Sequence, residues 1–250
     1  MAMNKSDDEL LADKVNSFLS NNRKVILSFV AVLVVAIVGL TVYFSFVARK
    51  KALDIASIEQ IIFDLNKAKE DIEKQKEENK KKEEEEKKDD EKNEEKATDP
   101  QILEKEDVAI SQLEECAKNS TGYASYLGFY NIADIYFARK DYDKAKVYYS
   151  KAVDVVPNSY VLGVLYFNMA VCMEELKESD DAILEYYKKS SEVEDFPLKP
   201  RAMFNMARMQ EKMGKIEEAI VIYQNILEKY PDNDFAFMGK TRIIDLEIKK

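Results

Sequence analysis

Matching residue types recur in this chain every 37 residues, and no other property limits its fold as tightly. Ala133, Ala170 and Ala207 stand 37 apart, as do Ala145, Ala182 and Ala219, and again Tyr149, Tyr186 and Tyr223. The columns Ile132, Met169, Met206 and Phe129, Tyr166, Met203 keep the same step. A fixed period of this length marks a repeat architecture, in which a unit buries its apolar face only against its neighbours. Within each unit the two alanines lie 12 apart and a tyrosine follows the second by four. That spacing describes two helices meeting through small residues, with aromatics filling the gaps and the polar turns RKDYDK, LKESDD and KMGKIE between them. The expected fold class is therefore all-α, an α-solenoid of helix-turn-helix units.

Composition narrows the chemistry. With no His there is no Ser-His-Asp triad and no His-ligated metal, and two Cys cannot build a four-thiolate centre. Six Gly in 250 residues, against an average usage of about 7%, are too few for glycine-rich nucleotide loops. The chain is expected to be no enzyme, with no catalytic, cofactor-binding or metal-binding residues and no small-molecule substrate. Its net charge of −10 argues against nucleic acid as a partner. Gly239-Lys240-Thr241 has the tail of a phosphate-binding loop, but Asp234 stands where that loop needs its first Gly. Cys116 and Cys172 fall at apolar helix positions and are expected as buried free thiols.

Ahead of the repeats the chain divides into four segments. Residues 25–48 read VILSFVAVLVVAIVGLTVYFSFVA without a charge, about 36 Å of helix against a hydrocarbon core of about 30 Å. Membrane lipid is the expected environment of 25–48, since the run exceeds a signal-peptide h-region and lacks an A-x-A site. Basic residues flank it on both sides, Arg23 and Lys24 before and Arg49, Lys50 and Lys51 after, so flanking charge leaves its orientation open. Residues 1–24 form an amphipathic segment, with Ser6 and Glu9 in capping-box spacing and Leu10, Leu11, Val15, Phe18 and Leu19 along one face. Residues 49–72 place Ile55, Ile58, Ile62, Leu65 and Ile72 at helical intervals, as an amphipathic helix that is either a short coiled-coil seam giving a dimer or the first helix of the domain that follows. Residues 73–99 are a charged spacer, for Glu73 to Lys96 hold 12 acidic residues, 9 Lys and nothing apolar. Glu-to-Lys pairs four apart permit helix there. Thr98 and Asp99 offer N-caps before Pro100, which opens residues 100–250.

The strings FYNIADIYFARKDYDKAKVYYSKAVDVVP, YFNMAVCMEELKESDDAILEYYKKS and MFNMARMQEKMGKIEEAIVIYQNILEKYP resemble tetratricopeptide repeats, over about 126–159, 163–196 and 200–233. Pro157 and Pro231 follow the second helix as that motif wants. The middle unit has Glu194 there and Pro197 three residues on, which predicts a lengthened or bent helix end. Residues 234–250 read as a capping helix with Ile243 and Leu246 inward. By the same resemblance 49–72 would be helix A of a degenerate first repeat. Helix B would then be Ile102 to Ala117, with Leu103, Val108, Ile110, Leu113 and Cys116 inward, and the spacer would be an insertion in their turn, which entropy tolerates. The two helices are expected to pack antiparallel.

The resemblance implies a concave groove lined by the A helices that holds a protein partner or extended peptide. By motif position it presents Tyr130, Phe167 and Phe204, beside them Asn131, Asn168 and Asn205, and one turn on Asp134, Val171 and Arg208. Aromatics with amides suit sequence-tolerant contact with a polypeptide, although the same residues could simply pack the helices. Tyr130 and Phe167 stand where a carboxylate clamp would have basic groups, which speaks against recognition of an acidic tail. The plan as a whole also resembles the YfgM-type ancillary subunits of the SecYEG translocon, on VNSFLSNNRKVI and NSTGYASYLGFYNIADIYFARKDYDKA. That resemblance implies a single-pass protein of the bacterial inner membrane with its repeats on the periplasmic side, and SecYEG and periplasmic chaperones as partners. An envelope scaffold and a cytoplasm-facing adaptor stay open beside it.

Overall fold

A computed structural model describes the backbone of residues 7–84, 99–156 and 160–248, and the side chains of 13–78, 99–156 and 160–248. The expected features at Ser6, Glu9, Leu10, Leu11, Thr98, Pro157, residues 85–98 of the spacer and its Glu-to-Lys pairs lie outside those side chains. All regular structure among the described residues is helical: α1 Asp7–Asn21, α2 Arg23–Glu84, α3 Pro100–Asn119, α4 Tyr123–Ala138, α5 Tyr142–Val155, α6 Val161–Glu175, α7 Asp180–Glu192, α8 Lys199–Lys212, α9 Ile216–Lys229 and α10 Asp234–Ile248. The chain divides into two units, Met1–Ala52 and Leu53–Lys250.

In the first unit, α1 leads into α2 through Asn22, whose backbone N–H and side-chain amide both donate to the Phe18 carbonyl at 3.0 Å. The uncharged run exposes its Val, Leu, Ile and Phe side chains all round. It lies in a helix long and apolar enough to cross a membrane.

The second unit begins within α2, which continues without a break through the expected end of its apolar stripe at 72 and into the charged segment as far as Glu84. An i,i+4 pair of Lys74 with Glu70 at 2.5 Å lies on this extension. Ile58 and Leu65 bury themselves in a core shared with Ala109, Ile110 and Leu113 of α3. Lys69 meets Glu106 and Lys76 meets Asp99, each at 2.5 Å, so residue numbers rise along α2 as they fall along α3 and the two helices run antiparallel. Asp99 also caps α3, accepting from the Gln101 N–H at 2.7 Å with Pro100 at the first helical position. One expectation fails on α3: Val108 is exposed, and Glu106 takes an inward place, 2% exposed. Burial is affordable there because the Arg139 Nε donates to Glu106 at 2.5 Å, while Arg139 also holds Asp107 at 2.7 Å and the Leu103 carbonyl at 2.9 Å.

From α4 onward the helices stack in sequence, and small residues set the closeness. A Cβ on Gly128 would lie 2.7 Å from the Ala117 Cβ, so the absence of a side chain lets α4 close on α3. Ser125 fastens the same contact by donating to the Ala117 carbonyl at 2.8 Å. The A helices α4, α6 and α8 keep the 37-residue step to their ends: Lys140, Lys177 and Gly214 all have positive φ. The next N–H reaches back five residues, to the Tyr136, Met173 and Gln210 carbonyls.

The B helices do not keep that step. Turns of three residues precede α5 and α9, whereas four, Leu176 to Ser179, precede α7. The added residue is Ser179, whose hydroxyl caps α7 by accepting from the Ala182 N–H. Helix α7 is thereby rotated by one position, so the buried columns are Ala145, Ile183, Ala219 and Tyr149, Tyr187, Tyr223. Ala182 and Tyr186, which carry the 37-residue step in sequence, are only partly buried. The helix end expected to be lengthened or bent is instead short: α7 stops at Glu192, Val193 is extended and Asp195 turns the chain with φ 53°. This turn drives Phe196 against Gly163 of α6, where an added Cβ would lie 2.4 Å from the ring. Helix α10 buries Leu246 and half-buries Ile243 against the last repeat.

Candidate functional site

The B-helix tyrosines Tyr149, Tyr187 and Tyr223 are buried with their hydroxyls aimed at carboxylates on A helices. Tyr149 donates to Asp134, Tyr187 to Glu174 and Tyr223 to Glu211, all at 2.6 Å. Burial first, and then the adjacent carboxylate, push all three phenol pKa values well above the usual tyrosine range, so the phenols stay protonated donors. On each ring rests an A-helix aromatic: Tyr130 on Tyr149 at 6.0 Å between centroids, Phe167 on Tyr187 at 5.5 Å and Phe204 on Tyr223 at 5.3 Å.

These pairings decide what the expected groove residues present. Phe167 is 5% exposed, with the Arg201 guanidinium 4.9 Å above its ring. Phe204 is 9% exposed between Tyr223 and Phe235. Their rings serve packing within and between repeats. Tyr130 is half-buried and ends a ladder of tyrosines in which Tyr123, Tyr126 and Tyr130 succeed one another at 5.5 and 5.7 Å. Burial raises the Tyr130 hydroxyl to about 12.

The amides are partly used by the chain itself. Asn131 donates to the Leu127 carbonyl at 2.7 Å, Asn205 accepts from Arg208 at 3.4 Å, and Asn168, half-buried on α6 like Val171, hydrogen-bonds the Tyr130 hydroxyl. Asn131 also lines an open depression of roughly 300 Å³ with Ile62, Phe63 and Asn66 of α2 and Tyr123 and Leu127 of α4. The A-helix face therefore extends from α4 onto the part of α2 that lies in this unit.

One Nη of Arg208 grips Glu174, donating to both carboxylate oxygens at 2.8 and 2.6 Å. Arg242 of α10 holds Glu211 through two nitrogens, its Nε donating to one oxygen at 3.2 Å and an Nη to the other, the bidentate geometry that a guanidinium favours. Tyrosine, glutamate and an arginine from the next A helix thus recur as a unit in the second and third repeats. Glu174, Glu211 and Arg242 are not among the residues that sequence reasoning selected. A signal for the two glutamates was available, since Glu174 and Glu211 stand 37 apart, in step with the repeat.

Asp134 differs. Its carboxyl is half-buried and accepts from Tyr149, but among the described residues no Lys or Arg pairs with it, and Val171 occupies the place that Arg208 fills one repeat later. Burial holds its pKa above the usual carboxylate value, with the Tyr149 and Tyr130 hydroxyls partly opposing the shift. The two thiols offer no reactivity by comparison. Cys172 is buried, its pKa raised to about 12 by desolvation, and Cys116 is half-buried and raised for the same reason; neither is in a disulfide.

Residues 126–159 and 201–233 each match a sequence family described as tetratricopeptide repeat. A 149-residue stretch, 59% of this chain, is 36% identical to a protein of Treponema pallidum (strain Nichols) named "TPR repeat-containing protein", and covers 62% of that relative's length. Among solved structures, the crystal structure of YrrB, described as a TPR protein with an unusual peptide-binding site, aligns with 58% of this chain and 79% of its own at 15% identity, with a TM-score of 0.42. The described residues thus form an all-α array of helix pairs, and the pairs at 126–159 and 201–233 are similar to tetratricopeptide repeats.

Proposed function

We propose that this protein is a membrane-anchored interaction module, whose uncharged helix 25–48 sits in the bacterial inner membrane and whose A-helix face holds polypeptide on the periplasmic side. Its role would be that of an ancillary translocon subunit or chaperone adaptor beside SecYEG, receiving exported chains. One observation carries the anchoring: 24 consecutive uncharged residues expose their apolar side chains to the surroundings, and that much apolar surface belongs in hydrocarbon. Binding is supported by the half-open A-helix face, where Tyr123, Phe63, Asn66 and Asn131 surround an unfilled depression. The part of α2 from Leu53 onward, with α3, would serve as the degenerate first repeat of that face. A second reading, an envelope scaffold for a folded partner, is favoured by the exposed Phe237, Met238 and Ile244 of α10.

Protease added to intact spheroplasts tests the placement. The account expects the repeats to be digested there while the chain stays with carbonate-washed membranes. Protection until the inner membrane is lysed would put the repeats in the cytoplasm and reject it.

A further inference from the structure

The tyrosine–carboxylate pair recurs three times, but among the described residues two copies are completed by a guanidinium and the first is not. In the second repeat the Tyr187 hydroxyl and both Arg208 hydrogen bonds converge on Glu174. In the third, Tyr223 and Arg242 converge on Glu211. The shared tyrosine hydroxyl fixes where the carboxylate lies in each copy, 2.6 Å away, including Asp134 in the first. The 37-residue step places Val171 one repeat before Arg208 and Asn168 two repeats before Arg242, and neither side chain carries a charge for Asp134. The same place is aromatic: Tyr149 and Tyr130 both reach Asp134, and Tyr126 and the exposed Tyr123 continue the ladder outward from Tyr130. Tyrosine faces and a half-buried carboxylate together favour a flat cation that can stack and hydrogen-bond at once.

We propose that Asp134, with Tyr130 and Tyr149, is a binding site for an arginine side chain of the bound polypeptide, which completes in trans the triad that Arg208 and Arg242 complete in cis. The inference rests on the A-helix face being a polypeptide-binding surface, and it adds what that surface selects. The incoming guanidinium forms a charge-assisted pair with Asp134 and lies against the Tyr130 ring. Sequence tolerance elsewhere on the face then coexists with one preferred basic position, a pattern that sequence-tolerant binding alone would not give.

The test uses the full chain in detergent micelles and two fluorescein-labelled peptides, Ser-Leu-Ala-Arg-Leu-Ala-Ser-Gly and its twin with citrulline in place of Arg, read by anisotropy. Citrulline keeps the shape and removes the charge. A hydrogen bond to a charged group is expected to make the arginine peptide bind about tenfold or more tighter. Asp134→Asn and the self-filling Val171→Arg should abolish that ratio, while Val171→Ala, which opens space without adding charge, should keep it. Equal affinity for the two peptides, or a ratio that survives Asp134→Asn, overturns the arginine site while leaving polypeptide binding in place. Binding of neither peptide overturns both.

Discussion

Asp134 shows how a single residue can weigh against the fold that holds it. Its folded pKa is raised above the unfolded value of about 3.9. Its contribution to stability is therefore fully present below that unfolded value and is lost as pH rises through the folded one. Asp134→Asn keeps an acceptor for the Tyr149 hydroxyl and removes the titration, so denaturation midpoints of variant and parent should diverge in the variant's favour as pH rises from 4 to 7. The carboxylates whose pKa values are lowered, such as Glu114 and Asp141, slope the other way but equally in both proteins. Gly163→Ala is expected to cost about 1–3 kcal/mol in chemical denaturation, because the new methyl meets the buried Phe196 ring and must displace it. At this scale the sequence was half legible. Phe167 and Phe204 stand at motif positions of the groove, yet each finds a tyrosine of the facing B helix before it finds solvent. Motif position names a helix face but not which partner covers it.

At the scale of elements, periodicity located helices well and their rotation less well. The A-helix columns were readable because α4, α6 and α8 stop in step, each followed two residues on by a residue of positive φ, Lys140, Lys177 and Gly214. In α7 the coincidence that Tyr186 and Tyr187 are adjacent hid a one-residue shift, since a repeated tyrosine was present whichever of the two packed inward. The additional Ser179 is visible in the sequence, but its consequence depends on a turn that only three-dimensional packing fixes. Likewise α2 passes its last apolar stripe residue and runs to Glu84, an end that apolar periodicity does not mark. Docking of α2 on α3 and α4 centres on Glu106, which Lys69 and Arg139 approach from different helices. Glu106→Ala is expected to lower stability by about 3 kcal/mol, near the low end for a broken buried pair because Arg139 keeps Asp107. Lys69→Ala should cost less than about 1 kcal/mol, since its ammonium is partly solvated. Urea midpoints of the two variants check the ratio.

Across the whole molecule, the repeat array and the uncharged run were legible because each is a property of many residues at once. A 37-residue period survives local exceptions, and 24 residues without charge admit few environments. The third copy of the tyrosine–carboxylate pair was not legible, since its meaning lies in what the other two copies hold. An A-helix face that spans α4, α6, α8 and the part of α2 from Leu53 onward, with its amides partly occupied and no Lys or Arg among the described residues on its first carboxylate, suits a polypeptide passing along it. The central claim is that this face is where exported chains are held. Photo-crosslinking in living cells tests it directly, with benzoylphenylalanine at Asn66 and at Asn131, which line the open depression, and at Lys188, exposed on a B helix, as control. The account predicts adducts with newly exported polypeptides from Asn66 and Asn131 and none from Lys188. A single folded envelope protein captured at the groove positions, or equal yields from Lys188, would contradict it.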